Sequence, residues 1–387
     1  VTAVAAVAAV RSRRRLRAVL LVGVTGYGCA YLFLLHGAPD LGLTQVLVET
    51  LSIIVFVLVL RRLSGRFDDD PTRNTRRLRA LLGAGVGAVA AGLAFIVPTF
   101  RTAAPASVGM AEEAYRFGAG ENVVNVILVD IRAWDTMGEL SVVLAAATGI
   151  ASLVFLRETN VEGARRKLNE ILSRRSRVTA RGVGGRWLAE SESLDPQRRS
   201  VIIEVVTRLV FHAVIVWSIY LLLAGHNLPG GGFAAGLVAG LAICLRYLAG
   251  GRDELRAAAP VMPALLLGTG LFLSAGNALG SVIAGGQVLQ TWDAYLHVPL
   301  IGEIHVVSSL VFDIGVYLVV IGLVLDILQS LGGAIDAQIE AGSEGYVHDA
   351  LATTRRSSSG PPPMSVSPGR TDTGTPVDPA PEAGGRP

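Results

Sequence analysis

Eight long apolar segments constrain this chain more than any other feature of its sequence. They lie at residues 17–36, 41–62, 79–98, 137–156, 201–224, 232–250, 260–284 and 303–328. About 20 apolar residues in a helix cross the hydrocarbon core of a bilayer. The composition agrees, because 51% of the residues are hydrophobic and only 17% are charged. The sequence therefore predicts an all-α fold, a polytopic transmembrane helix bundle of about eight spans in two four-helix blocks.

The basic residues provide a test of this arrangement, since cytoplasmic loops of membrane proteins are rich in lysine and arginine. Three of the 34 lysines and arginines, Arg101, Arg116 and Arg132, lie in one set of alternate loops, and 30 lie on the opposite side. We therefore expect a multi-pass protein of the cell membrane. The loops that we expect in the cytoplasm include the long loop after the fourth span and the C-terminal tail.

Four parts follow from the spans and loops. Residues 1–156 are predicted to form a four-span membrane block with an outer interfacial segment, and 157–200 a basic cytoplasmic linker. Residues 201–330 are predicted to form the second four-span block, and 331–387 a disordered cytoplasmic tail, because the tail is rich in Pro, Gly and Ser. The apolar residues 1–10 are too short to cross a bilayer, and we interpret them as the end of a helix from a longer polypeptide.

Acidic side chains inside a span are costly unless they face protein or water, so each is a functional candidate. Glu49 lies about 13 Å along the second span at 1.5 Å per residue. Both a role in proton transfer and a polar contact between helices remain open for it. Asp40 follows Pro39 at the start of this span. We expect it to cap the helix, and an ion-path role is the alternative.

The segment before the fourth span is too polar to cross the membrane and too apolar for a solvent loop, so we place it at the outer interface. It carries Asp130 and Asp135. Asp135 or Thr136 is expected to cap the fourth span, with Glu139 completing a capping box. A role for Glu139 in a proton path is an equally open interpretation.

The fifth and last spans also carry ionisable groups. Arg208 and His212 follow Glu204 at successive i+4 positions, so all three share one helix face. His212 is expected near the middle of the membrane, at the level of Asp313 in the last span. A histidine and a carboxylate at this depth would suit proton transfer. The alternative is a buried polar contact that holds two helices together.

The stretch "GHNLPGGGF" separates the fifth and sixth spans. It is predicted to form a short outer turn followed by three glycines where another backbone, a helix or an ion comes close. Further glycines recur four residues apart, at 83 and 87, at 232, 236 and 240, and at 276 and 280, and predict close helix packing. The candidate packing motif comprises His226, Asn227, Pro229, Gly230, Gly231 and Gly232.

The motifs of this chain resemble one family of membrane complexes. "TRLVFHAVIVWSIYLLLAGHNLPGGGF" and "FDIGVYLVVIGLVLDIL" resemble the B subunit of Mrp-type multisubunit sodium/proton antiporters. "HGAPDLGLTQVLVETL" and "NVVNVILVDIRAWDTMGELSVV" resemble the C-terminal part of the A subunit, and related segments occur in membrane-bound hydrogenases. The resemblance covers nearly the whole chain except the linker and tail.

The resemblance implies a membrane subunit of a monovalent cation (Na⁺)/proton antiporter that contributes to the ion route and to assembly without being a pump module. It implies transport of H⁺ and Na⁺ with no cofactor, no metal site and no catalytic residues. The implied partners are the rest of the A subunit, the C, D, E, F and G subunits and the lipid membrane, and no nucleic acid. Carried over by motif, the candidates are Asp40, Glu49, Asp130, Asp135, Glu139 and Asp313, to which position adds Arg208 and His212.

Two alternatives remain from the sequence. The chain could be a membrane-anchor subunit of a hydrogenase or complex-I-like oxidoreductase, or a structural scaffold without an ion path. No nucleophile–base pair, phosphate loop or cluster of metal ligands is recognisable in the sequence, so an enzyme is not expected. Cys29 and Cys244 both lie in apolar segments, where we expect inert buried thiols.

Overall fold

The computed structural model of the chain describes residues 1–60, 67, 72–158, 201–299 and 302–330. Nearly all of the predicted linker and the whole predicted tail lie outside the described residues. The helices are α1 Thr2–Val10, α2 Arg15–Leu35, α3 Pro39–Leu60, α4 Arg73–Thr99, α5 Met110–Arg116, α6 Val123–Val126, α7 Ala133–Glu158, α8 Val201–Ala224, α9 Gly231–Ala258, α10 Pro263–Ile283 and α11 Ser309–Ser330. A short 3₁₀-helix covers Ala106–Val108, a π-helix covers Ile127–Ile131, and strands β1 and β2 cover Asp293–Val298 and Gly302–Val307.

The predicted bundle of apolar helices is confirmed. Seven helical stretches of the described chain are long and apolar enough to cross a membrane, and they belong to α2, α3, α4, α8, α9, α10 and α11. The helix at the predicted fourth span is α7, which has 26 residues and carries Asp135 and Glu139 in its first two turns.

The last predicted span is wrong at its start. Its helix begins at Ser309, because residues 302–307 pair instead with 293–298 as an antiparallel hairpin. Asp293 lies opposite Val307 in this register, and His297 lies opposite Glu303. The rings of Tyr295 and His305 stack with their centroids 4.7 Å apart, which stabilises the pairing of the two strands.

Helix α9 forms the centre of the bundle and packs against α3, α8 and α11. A methyl group added at Gly236 would lie 2.7 Å from Cβ of Val320, and one at Gly240 would lie 2.8 Å from Cγ2 of Val324. Both contacts are too short for a side chain, so the close packing predicted for this glycine row is confirmed. The glycines at 83, 87, 276 and 280 face open space instead, so their rows are not helix contacts within the described chain.

An ion pair holds the end of α9 where the helix kinks. Gly251 has a φ of +71°, which a residue without Cβ adopts at low cost. Nε of Arg246 donates to Oε1 of Glu254 at 2.8 Å, and Glu254 is fully buried. The guanidinium also lies over the ring of Phe211, 4.8 Å from its centroid, so a cation–π contact supports the pair.

Candidate functional site

Asn122 lies where the segment before α7 meets the turn between α8 and α9. Its Nδ2 donates to the carbonyl oxygens of Gly225 and Leu228, each at 2.9 Å, and lies 3.4 Å from Oδ1 of Asp40. Its Oδ1 accepts a hydrogen bond from the backbone N–H of Asn125 and so caps α6. One buried amide therefore joins three parts of the chain.

Asp40 lies in the first turn of α3, where the helix dipole favours a carboxylate. Its contacts differ from the expected cap, because the donors that reach Oδ1 come from other parts of the chain. The backbone N–H of Gly230 donates to it at 2.8 Å, in addition to the contact with Asn122. The carboxylate is buried and connects α3 to the entrance of α9.

Asp313 is buried in α11 and receives two hydrogen bonds. The backbone N–H of Gly232 donates to its Oδ1 at 2.9 Å, and Nδ2 of Asn125 donates to its Oδ2 at 3.1 Å. The pair with His212 that the sequence allowed is not formed. His212 is exposed on α8, and its Nδ1 lies 3.4 Å from the carbonyl oxygen of Arg208.

Close contacts with two carboxylates explain why Gly230, Gly231 and Gly232 are all glycines. Their backbone must approach two carboxylates closely, and the amides of Gly230 and Gly232 bind one each. Gly231 has a φ of +88°, and a side chain there would overlap Oδ1 of Asn125. A methyl group at Gly232 would overlap the backbone oxygen of Asp313. The stretch is thus a pair of amide donors as well as a packing surface.

His226 links the turn between α8 and α9 to two other segments of the chain. Its Nε2 lies 2.9 Å from the carbonyl oxygen of Gly118, which can only accept, so Nε2 carries the proton. Its Nδ1 lies 3.5 Å from Oγ of Ser309 at the start of α11. Burial lowers the pKa of His226, against the opposing effect of backbone hydrogen bonds to Gly118 and Ala119. The imidazole is therefore a neutral structural link, and nearby Asn227 accepts from the backbone N–H of Glu121 at 3.2 Å.

A cavity of about 200 Å³ lies beside Asp40 and Asp313. This volume has room for several water molecules. Glu139 on α7 lines the same cavity and is exposed, whereas the two aspartates are buried. Valine and leucine side chains and Phe233 form most of the remaining wall. The polar lining consists of Asp40, Thr44, Asn125, Thr136, Glu139, Gly230 and Asp313.

The predicted cap of the fourth span is wrong, because α7 begins four residues earlier than the predicted span, at Ala133. Asp135 therefore lies in the first turn and pairs with Arg132 at the surface. Thr136 lies inside the helix, and its hydroxyl donates to the carbonyl oxygen of Leu128 at 2.7 Å. Glu139 is too far along the helix to complete a capping box, and it lines the cavity instead.

Asp130 is placed outside the cavity, on the π-helix. Its Oδ2 accepts from the backbone N–H of Thr291 at 3.2 Å, so it ties this segment to the chain just before β1. Burial raises the pKa of Asp130, while the hydrogen bonds from Thr291 act in the opposite direction. Its described contacts thus indicate a structural attachment.

Glu49 faces α2 rather than the cavity. Side chains at Gly23 and Gly26 of α2 would contact its carboxylate, so these glycines make room for it. The structure thus brings Asp40, Glu139 and Asp313 to one cavity, and it places the other candidates outside the cavity lining: Glu49, Asp130, Asp135, Arg208 and His212.

Two residues of the network, Asn122 and Asn125, were not predicted as site residues. Their signal in the sequence is the pair of amides three residues apart within the apolar stretch "NVVNVILV". A buried amide needs hydrogen-bond partners, so such a pair indicates polar contacts with another segment. The sequence does not identify that segment.

Comparison with known proteins identifies relatives for most of the described chain. A family model described as "Domain related to MnhB subunit of Na+/H+ antiporter" matches residues 202–326, and models for the D and E subunits of MBH match 1–65 and 74–163. The A/B subunit of a probable K(+)/H(+) antiporter from Rhizobium meliloti is 31% identical over 82% of this chain and 32% of that protein. The B subunit of a Na(+)/H(+) antiporter from Bacillus subtilis is 35% identical over 36% of this chain and 96% of that protein.

A solved structure also matches most of this chain. The "Structure of Mrp complex from Dietzia sp. DQ12-45-1b" contains a chain that is 31% identical and superposes with a TM-score of 0.70, over 86% of this chain and 34% of that chain. The present chain therefore spans about a third of the length of its A/B-type relative and of this structural neighbour.

Proposed function

The chain belongs to the family of multisubunit cation/proton antiporter proteins in which the C-terminal part of the A subunit is joined to the B subunit, and we propose that it lines part of the route of protons and a monovalent cation through such a complex. It is a multi-pass membrane protein. The proposal gives it a role in transport rather than in catalysis.

The cavity that Asp40, Glu139 and Asp313 line is the observation that carries this proposal. These three acids come from three helices, α3, α7 and α11, which are distant in the sequence. Carboxylates inside a membrane are costly and are kept mainly where they face an ion path, a wet cavity or each other. A cavity with room for several waters and with both exposed and buried acidic groups in its wall has the chemistry to receive a proton or a small cation.

The amide donors hold the buried carboxylates without neutralising them. Asp313 receives one hydrogen bond on each oxygen, and Asp40 receives its bonds on Oδ1. A carboxylate oxygen can accept two hydrogen bonds, so both groups keep free capacity for a proton or cation. Because the donors are fixed backbone and amide groups, the free lone pairs keep a constant orientation.

The cation, the partners and the orientation belong to the same proposal. The names of the relatives include both Na⁺/H⁺ and K⁺/H⁺ antiporters, so we propose transport of one of these two cations in exchange for protons. The remaining antiporter subunits are the proposed partners. The eleven lysines and arginines of residues 157–200 support a cytoplasmic position of that segment, and the four predicted spans that follow it would return residues 331–387 to the same side.

Exchange assays on the complete complex test the proposal. Everted vesicles would be energised, and dissipation of the pH gradient by added Na⁺ or K⁺ would be compared for wild type and the Asp40→Asn, Glu139→Gln and Asp313→Asn variants. Asp135→Asn is the matched control, because Asp135 is an acid of the same region that pairs with Arg132 at the surface. Native gels would measure assembly of each variant.

We expect the three cavity variants to lose exchange with the complex intact, while Asp135→Asn retains it. Normal exchange in all three variants would contradict an ion route here and would favour the scaffold interpretation. Asparagine at position 313 keeps one acceptor and gains a donor, so one of its two hydrogen bonds is lost. A moderate loss of stability is therefore expected for this variant alone.

A further inference from the structure

A second, larger pocket lies at the opposite end of the first helical hairpin from the acidic cavity. It has a volume of about 770 Å³ and forms between α1 and the start of α2. Four arginines line it, at positions 11, 13, 14 and 17, together with Ser12. Its other wall is the apolar surface of α1, formed by Ala3, Val4, Val7 and Ala8.

The charged side chains that line this pocket in the described part of the chain are all positive. Within residues 1–60 and the other described parts of the chain, no carboxylate lines the pocket and none of the four arginines pairs with an acid. The neighbouring Arg15 lies over the ring of Phe67, 5.4 Å from its centroid. Guanidinium groups bind phosphate oxygens through paired N–H donors, so four of them around one pocket indicate an anionic phosphate ligand.

The start of α2 adds to this preference. Arg14 at the N-cap makes no side-chain capping bond, and the first turn contains no acidic residue. The free N–H groups and the positive end of the helix dipole therefore remain uncompensated by the local sequence. An anion in the pocket would accept hydrogen bonds from these N–H groups and would interact favourably with the helix dipole.

The apolar wall distinguishes a lipid from a free anion. Val4 is 74% exposed and Val7 is 52% exposed, and both lie in the pocket beside the arginines. Thr2, at the start of α1, lies beside Gly28 of α2, so α1 runs back along α2 from the arginines toward the middle of that predicted span. A ligand that fits both walls has a phosphate group at one end and hydrocarbon chains at the other.

We propose that this pocket binds an anionic phospholipid, with the phosphate between the four arginines and the acyl chains along α1 and α2. This site is separate from the acidic cavity and does not depend on the proposed transport role. The charge distribution of the loops places it in the cytoplasmic leaflet, where anionic lipids attract basic residues near the membrane.

Lipid retention by the purified complex tests the site. After delipidation, native mass spectrometry would measure binding of phosphatidylglycerol, of phosphatidylcholine with the same acyl chains, and of inorganic phosphate. The test variants are Arg13→Gln/Arg17→Gln and the replacement of all four pocket arginines by glutamine. The control replaces the four arginines at positions 73, 76, 77 and 79, which begin α4 on the same predicted side and line neither pocket.

The wild-type complex is expected to retain phosphatidylglycerol in preference to phosphatidylcholine. A basic residue near a membrane strengthens binding of anionic lipid roughly fivefold, so the double variant is expected to bind it about 25-fold more weakly. The double variant keeps the proposal testable if the fourfold variant does not assemble. The control is expected to bind as wild type.

Three outcomes would overturn the proposal. Equal losses in the pocket and control variants would show a general effect of surface charge. Saturable binding of inorganic phosphate that displaces the lipid signal would identify a free anion as the ligand. Unchanged phosphatidylglycerol binding in the pocket variants, or no binding by wild type, would show that this pocket is not a site for anionic lipid.

Discussion

Replacing Gly232 by alanine is predicted to separate α9 from α11 and to disturb Asp313. The added methyl group would overlap the backbone oxygen of Asp313, so it cannot be accommodated by rotating a side chain. Overpacking of this kind costs about 1–3 kcal/mol. The shift also weakens the hydrogen bond from the Gly232 N–H to the carboxylate, which contributes about 1.5–3 kcal/mol when the acceptor is charged. We therefore expect a loss of about 3 kcal/mol and impaired cation/proton exchange.

Two further alanine variants make this a graded series. At Gly236 the methyl group would lie 2.7 Å from Cβ of Val320, a side chain that can move slightly, so a loss of about 1 kcal/mol is expected. At Gly83 nothing lies within 4 Å, and alanine favours a helix, so stability should be unchanged or slightly higher. Thermal unfolding of the purified complex and exchange in vesicles would be measured for all three. Equal stability of the Gly232→Ala and Gly83→Ala variants would refute the packing of α9 on α11.

Three other predictions concern the contacts around the site and the kink. Asn122→Leu leaves one buried and one partly buried loop carbonyl without a donor, so a loss of about 2–4 kcal/mol is expected in thermal unfolding, and wild-type stability would contradict its linking role. Because burial lowers the pKa of His226 in the folded state, its contribution to stability is present above the ordinary pKa near 6.5 and is lost as the pH falls below it. His226→Gln should therefore flatten the decline in melting temperature between about pH 7 and pH 5, and an unchanged slope would refute this assignment. Arg246→Ala leaves the buried Glu254 unpaired and should cost about 3–5 kcal/mol, whereas replacing both residues by apolar ones should restore most of the stability.

The sequence by itself determined the class of fold and most of the helices. Apolar length alone predicted the helices that cross the membrane, because a bilayer leaves a backbone few other ways to satisfy its hydrogen bonds. The same argument selected Asp40, Glu139 and Asp313 as candidates, since a charge in an apolar segment is costly wherever the chain folds. The same argument also selected Glu49 and His212, but neither residue lines the cavity.

Only the tertiary structure decided which of these groups meet. Asp40 and Asp313 are 273 positions apart in the numbering, and one glycine stretch reaches both, because the Gly230 amide donates to Asp40 and the Gly232 amide donates to Asp313. Hydropathy is averaged over a window of neighbouring residues, so it also extended the last helix through "GEIHVV", which pairs as a strand with a segment nine residues earlier. Periodicity and apolar length are local properties of the chain, whereas hydrogen-bond partners are chosen by packing between distant segments. The sequence therefore determined the helices and the charged groups within them, and packing determined the site.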